Sequence, residues 1–123
     1  MICNAIGGML PQPRNSGQND FVNTMLSRSG WFFLGLTDKR HEGQWRWNTD
    51  WHNSTLEWTN WKSGDPDGGN HQNCAIQHVS DDSRWSKKWT STWCHHNGDY
   101  DIPVVCEKNC KYTIYHLTKE THE

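Results

Sequence analysis

The 123-residue chain has no long apolar run, no excess of positive charge and no Cys-x-x-Cys pair. Each absence excludes something. A membrane-spanning helix needs about 20 consecutive apolar residues, and no segment approaches that, so membrane insertion is not expected. Lys and Arg total 12 against 14 Asp and Glu, for a formal net charge of −2. Nucleic acid, which needs a basic face, is therefore not an expected partner. The pair Lys87-Lys88 reads as part of a solvated loop. No Cys-x-x-Cys occurs, which argues against a zinc ribbon. No Gly-x-Ser-x-Gly elbow occurs either, and no catalytic constellation stands out, so an enzyme is not expected. Asp65 and Asp67 are too close in sequence to face each other across a cleft as a glycosidase pair. There is no internal repeat and no low-complexity tract. The opening residues Met1–Leu10 lack a basic segment, so no signal peptide is visible.

What is present is unusual in its balance. Hydrophobic residues make up only 33%, and mean hydropathy is −1.01. Aliphatic side chains alone would give a thin core. Nine Trp compensate, since each large aromatic can bury roughly 150–250 Å². The length fits one domain. Five Cys in a short chain point to an oxidising, secreted or extracellular setting. Asn53-Ser54-Thr55 is an N-glycosylation sequon, which agrees weakly with secretion.

Residues 1–8 read as a helix end stopped by Gly7-Gly8. A loop follows to Gln18. Asn19 or Asp20 is suited to cap a short helix, with Phe21, Val22, Met25 and Leu26 on one face. Trp31–Leu36 suits a buried strand. Trp45–Trp47, Trp58–Trp61, Cys74–Val79 and Pro103–Glu107 carry further strand signals. The segment Lys108–Glu123 differs in character and reads as a C-terminal tail, with a strand pattern near Tyr112–Leu117. The longest irregular stretch runs from Lys62 to Asn73, and a loop of that length in a compact domain is usually functional.

That loop is the most informative part of the chain. Asp65 and Asp67 flank Pro66, the residue type that accepts a cis peptide bond. Asn70, Gln72 and Asn73 add oxygen donors of the kind calcium takes. The plain alternative is a turn, because Pro, Asp, Gly and Asn are turn residues. His71, His78, His95 and His96 flank the same loops. Neutral imidazoles can hold zinc beside Asp65 or Asp67, but no fixed ligand spacing supports that.

In this order, the landmarks resemble those of the C-type lectin-like domain. They are Gly7-Gly8-Met9-Leu10 after a helix Cys, and Phe33-Leu34-Gly35-Leu36. Then come Glu42-Gly43-Gln44-Trp45, Thr59-Asn60-Trp61 and Gly64-Asp65-Pro66-Asp67. Cys74-Ala75-Ile76, Trp89 through Cys94, and Val105-Cys106-Glu107 complete the set. The resemblance covers residues 1–107. It implies an α+β C-type lectin-like fold: two short helices, small antiparallel sheets and a long loop region. It also implies disulfides Cys3–Cys106 and Cys74–Cys94. Cys110 is then left over, either as a free thiol in the tail or as the link in a disulfide-bonded dimer. The family opens with a strand and a full first helix before the Cys matching Cys3. Nearly all of that is missing here. Either the chain is a fragment, which is the preferred expectation, or the tail near Tyr112–Leu117 supplies the edge strand.

The resemblance further implies a sugar-coordinating calcium ion. Asp65-Pro66-Asp67 stands at the family's Glu-Pro-Asn or Gln-Pro-Asp triplet. Gln72 stands where a carboxylate is usual. Trp89-Thr90-Ser91 stands at Trp-Asn-Asp, so hydroxyls replace two ligands. The loop from Asp65 to Cys74 is also one residue shorter. Charge count sets calcium affinity, so this set predicts weak binding toward the millimolar end of the scale. Asp38 and Glu42 match the acids of an auxiliary calcium site whose other partners fall at Gly68, Gln72 and Asn73, all neutral, and a solvated hairpin carrying surface acids is the preferred reading there. His71 or Trp93 would pack on a sugar face. The expected function is an extracellular carbohydrate-binding module with a glycan or glycoprotein ligand and weak calcium dependence. The rivals are a calcium-independent protein-binding domain, favoured by the loss of the Asn-Asp pair, and a structural or matrix role.

Overall fold

The computed structural model describes residues 2–50, 52, 56–67, 71–94, 102–109 and 111–117. It has two helices, α1 (Ile2–Ala5) and α2 (Ser16–Asn23). Six strands follow: β1 (Gly30–Thr37), β2 (Arg46–Trp47), β3 (Cys74–Val79), β4 (Trp89–Thr92), β5 (Ile102–Lys108) and β6 (Lys111–Leu117). Strands β2-β1-β3-β4 form one antiparallel sheet in that order, and β5 pairs with β6 in a second. This is the α+β arrangement expected from the sequence. Among the described residues no helix is long and apolar enough to cross a membrane.

Local chemistry explains the helix ends. The Gly8 N–H reaches the Cys3 carbonyl and the Gly7 N–H the Asn4 carbonyl. With Gly7 at φ +76°, this is a Schellman stop, which favours glycine because it has no Cβ to clash. Helix α2 begins earlier than the sequence suggested. Asn15, not Asn19 or Asp20, is its cap, and the Asn15 side chain accepts from the Gln18 N–H. Asn19 is instead buried in the interior. Val22 faces the core as expected, whereas Phe21 is 59% exposed and rests on Tyr112. Hydrophobic spacing alone set that face one residue too wide.

The core is built on Trp89, which is fully buried. Trp47, Trp58 and Trp61 stand edge-on to it with ring centroids 5.6–5.8 Å away. Edge-to-face contact is the favoured geometry for aromatic pairs. The Trp89 indole N–H donates to Asn19 Oδ1 at 2.8 Å. Asn19 also donates to the Lys87 carbonyl, and its own carbonyl accepts from Gln77 Nε2. One buried amide thus ties α2 to the start of β4. Trp58–Trp61 is not a strand as the sequence pattern suggested. Only Trp61 bridges to Trp89, because these indoles are used as core packing rather than in a ladder.

Cys3–Cys106 and Cys74–Cys94 are both disulfides, as the resemblance implied. They close spans of 103 and 20 residues. Loop-closure entropy assigns about 4–5 and about 3 kcal/mol to spans of those lengths. The first bond ties α1 to β5. The second ties the start of β3 to the segment just after β4, clamping the base of the candidate site. Residues Lys111–Leu117 of the segment read as a tail form β6, in register against β5 from Lys108↔Lys111 to Ile102↔Leu117. Cys110 lies outside the described residues.

Candidate functional site

Strand β4 positions the site. Trp89 anchors its first residue in the core. Two residues on, Ser91 has its side chain on the same side of the strand, buried beside Asp65, Asp67 and Gln72. The Asp65–Pro66 peptide is cis, as the sequence suggested. The two acids flanking Pro66 converge on Ser91. Its Oγ lies 3.3 Å from Asp65 Oδ1, 3.3 Å from Asp67 Oδ1 and 3.3 Å from Gln72 Oε1. The Asp67 N–H donates to the same hydroxyl at 3.2 Å, and the Ser91 N–H points at Asp65 Oδ1 at 3.4 Å.

A single hydroxyl proton can serve only one of those three acceptors. Asp65 Oδ1 also has the Ser91 N–H, so the three oxygens crowd around two protons. The electrostatics agree. The Asp65 pKa is raised above its ordinary value, chiefly because burial penalises its charge. Hydrogen bonds from Ser91 oppose this, the neighbouring Asp67 charge adds to it, and the Lys62 ammonium draws it back down. Crowded hard oxygens of this kind are what a calcium ion relieves. The donor set therefore fits a divalent cation in kind, with Asp65, Asp67 and Gln72 as the groups able to hold it. It is thin in number, since two carboxylates and an amide fall short of the six to eight oxygens calcium prefers. Among the described residues, no group of three or more His, Cys, Asp and Glu gathers anywhere.

The other expected residues divide. Asn70, His95 and His96 lie outside the described residues. His71 and Trp93 are stacked, with ring centroids 5.5 Å apart and planes 24° from parallel. Trp93 is 55% exposed, so the pair offers an open aromatic ledge next to Gln72. Asn73 uses its carbonyl to accept the Thr37 hydroxyl. His78 is turned to Thr90, Nε2 to Oγ1 3.1 Å, and does not join Asp65 or Asp67.

Asp38 corrects the sequence reading of a solvated hairpin with surface acids, because it is only 2% exposed. Its Oδ2 accepts from the Gly43 N–H at 2.9 Å, while its Oδ1 has no hydrogen-bond partner. Glu42 stands beside it. Partial desolvation, then the Asp38 charge, then a proton shared with Asp38 raise the Glu42 pKa, and the nearby His71 opposes this. The burial of Asp38 was missed because Asp beside Lys39-Arg40-His41-Glu42 in a turn normally faces water. Lys62 was missed as well, since nothing in Asn60-Trp61-Lys62-Ser63 marks that Lys among surface cations.

A two-sheet domain clamped by disulfides, with an oxygen-lined cis-Pro loop beside its main sheet, defines a loop-presented binding fold. The chain matches the family model described as Lectin C-type domain over residues 1–108, and it belongs to that family. It is 26% identical to "Mannose-binding protein" of Gallus gallus over 106 residues, 86% of this chain and 37% of the relative. It is 33% identical to "Collectin-10" of Homo sapiens over 109 residues, 85% of this chain and 35% of the relative. The chain thus spans little more than a third of the length of these two relatives. Among solved structures, the human scavenger receptor C-type lectin carbohydrate-recognition domain superposes with a TM-score of 0.63. That match has 20% identity and covers 76% of this chain and 69% of the other, a likeness of fold.

Proposed function

We propose that this domain is a carbohydrate-binding module acting outside the cell. Asp65, Asp67 and Gln72 hold a weakly bound calcium ion that presents the glycan, and the His71–Trp93 ledge packs against a sugar face. The observation that carries this reading is the convergence of three side-chain oxygens on Ser91 Oγ. Vicinal hydroxyls of a sugar complete the shell of a large, oxygen-seeking cation. The buried Asp38 carboxylate, paired with Glu42, offers a second cation position. Names of the relatives, such as mannose-binding protein, support the glycan class.

A calorimetric calcium titration tests the metal. Binding in the roughly millimolar range is expected, lost in Asp67→Ala. No heat in the wild type at any concentration up to about ten times that range would remove calcium from the account. A second reading, binding without metal, is favoured by Ser91 itself. Its hydroxyl stands among the acidic oxygens and already satisfies part of their demand. Under that reading, ligand binding is unchanged in chelator.

A further inference from the structure

Among the described residues three large apolar side chains are exposed: Met9, Phe21 and Trp93. Trp93 belongs to the ledge above. Met9 and Phe21 instead line a groove of about 430 Å³ between α2 and the turn end of the β5–β6 hairpin. Ligand sites run from about 300 to 1,000 Å³. Phe21 and Tyr112, with ring centroids 5.6 Å apart and planes tilted by 49°, form an aromatic wall. Among the described residues, two polar groups in the groove lack a strong partner. The first is Gln12, which is buried. Its Oε1 accepts from Thr49 Oγ1 at 2.8 Å and from Arg14 Nη2 at 3.1 Å. Arg can only donate, so the orientation of the amide is fixed. Its Nε2 then faces Met9 Sδ at 3.1 Å, and a thioether is a weak acceptor. The second is Glu107, which stands opposite Tyr112 in the β5–β6 register and so on the same face. The ion pairs among the described residues are Arg14–Asp50, Arg84–Asp82 and Lys87–Asp20, and Glu107 belongs to none of them. Lys108 and Lys111 alternate to the other face of the hairpin, where Lys108 lies over Gly7. Arg14, on the rim, is held by Asp50 and the Trp47 ring.

The groove thus offers an N–H that wants an oxygen, an apolar wall and an unanswered negative charge. An arginine in an extended peptide supplies the complement of all three: a backbone carbonyl, an aliphatic stem and a cationic head. Arg suits the site better than Lys, because its planar guanidinium stacks on aromatic faces and forks onto a carboxylate. We propose that this groove receives an arginine-bearing extended segment of a partner protein. The Gln12 amide takes a peptide carbonyl in place of the Met9 sulfur, the stem crosses Met9 and Phe21, and the guanidinium meets Glu107 beside the Tyr112 ring. This is independent of the glycan reading, since the groove shares no residue with the Asp65–Ser91 site.

The test is an NMR titration of the ¹⁵N-labelled chain, in chelator, with the blocked peptide Gly-Leu-Arg-Leu-Gly. A second peptide carries citrulline, the neutral isostere, in place of Arg. Shifts should centre on the Gln12 side-chain amide, Phe21 and Tyr112. In about 20 mM NaCl the Arg peptide should bind about threefold or more tightly than the citrulline peptide, and the gap should shrink in about 300 mM. Glu107→Gln should erase the gap. Phe21→Ala should weaken both peptides about fivefold. Asp67→Ala should change neither, which separates the groove from the acidic turn. Equal binding of the two peptides, a gap that survives Glu107→Gln, or shifts that map to other residues would overturn the proposal. Groove signals that move on dilution without peptide would assign the surface to a second copy of the chain and overturn it as well.

Discussion

Ser91 concentrates the physics of the site in one hydroxyl. It has one proton, three oxygen neighbours and little water. Replacing it by Ala should remove the hydroxyl bond to Asp65 and leave only the one from the Ser91 backbone N–H. The Asp65 pKa should then rise further, as carbon-detected NMR of the carboxyl will show. Stability in chelator should drop by about 1–2 kcal/mol, the usual cost of stranding a buried polar group. The acids also give a pH signature. Asp65 and Glu42 are both raised in the folded chain relative to their ordinary values. Between the ordinary value and the raised one, the folded state holds more protons than the unfolded state. In chelator their contribution is therefore fully present at low pH and is lost as pH rises through the raised values. Calcium should reverse that sign, since it binds only the ionised forms. Urea melts across the carboxylate range, with and without calcium, check this. Gln72→Glu should tighten calcium roughly tenfold by adding a third charge. The residue scale is also where sequence was least informative. Asp65, Asp67 and Gln72 could be named from the loop and Ser91 from the resemblance, yet only folding showed that one hydroxyl reaches all three. The same holds for Asp38, whose burial has no local signature.

At the scale of elements, β4 is short, and its position depends on Trp89 and Asn19. Truncating Trp89 to Ala should cost about 3–5 kcal/mol, as for other buried large aromatics. It should also disturb the site two residues away, visible as lost calcium heat. The strands β1, β3 and β5 were legible because they are compact apolar runs set between turn residues. Strand β4 was not, since Trp-Thr-Ser-Thr alternates weakly and sits beside Lys87-Lys88. The start of α2 was misplaced for a related reason. Asn15 and Asn19 are both good caps by composition, and the tertiary hydrogen bonds of Asn19 to Trp89 and Lys87 decide which one caps. Trp93 belongs to this scale too, because its exposure follows from its place just past the end of β4. Trp93→Ala should weaken glycan binding while leaving the calcium titration unchanged.

For the whole molecule, low aliphatic content is offset by two long-range disulfides and a cluster of crossed indoles. The ordered landmarks and cysteine spacing made the fold readable, because each covalent bond pins elements that pattern alone leaves unplaced. What spacing could not show is how the loop oxygens share space once the Cys74–Cys94 bond clamps them beside β4. The central claim is that this clamped loop binds glycans through a cation held by its acids. Its most direct test is glycan-array binding by the wild type in calcium and again in chelator. Binding that appears in calcium and disappears in chelator is the predicted result. Binding of equal strength in both would contradict it.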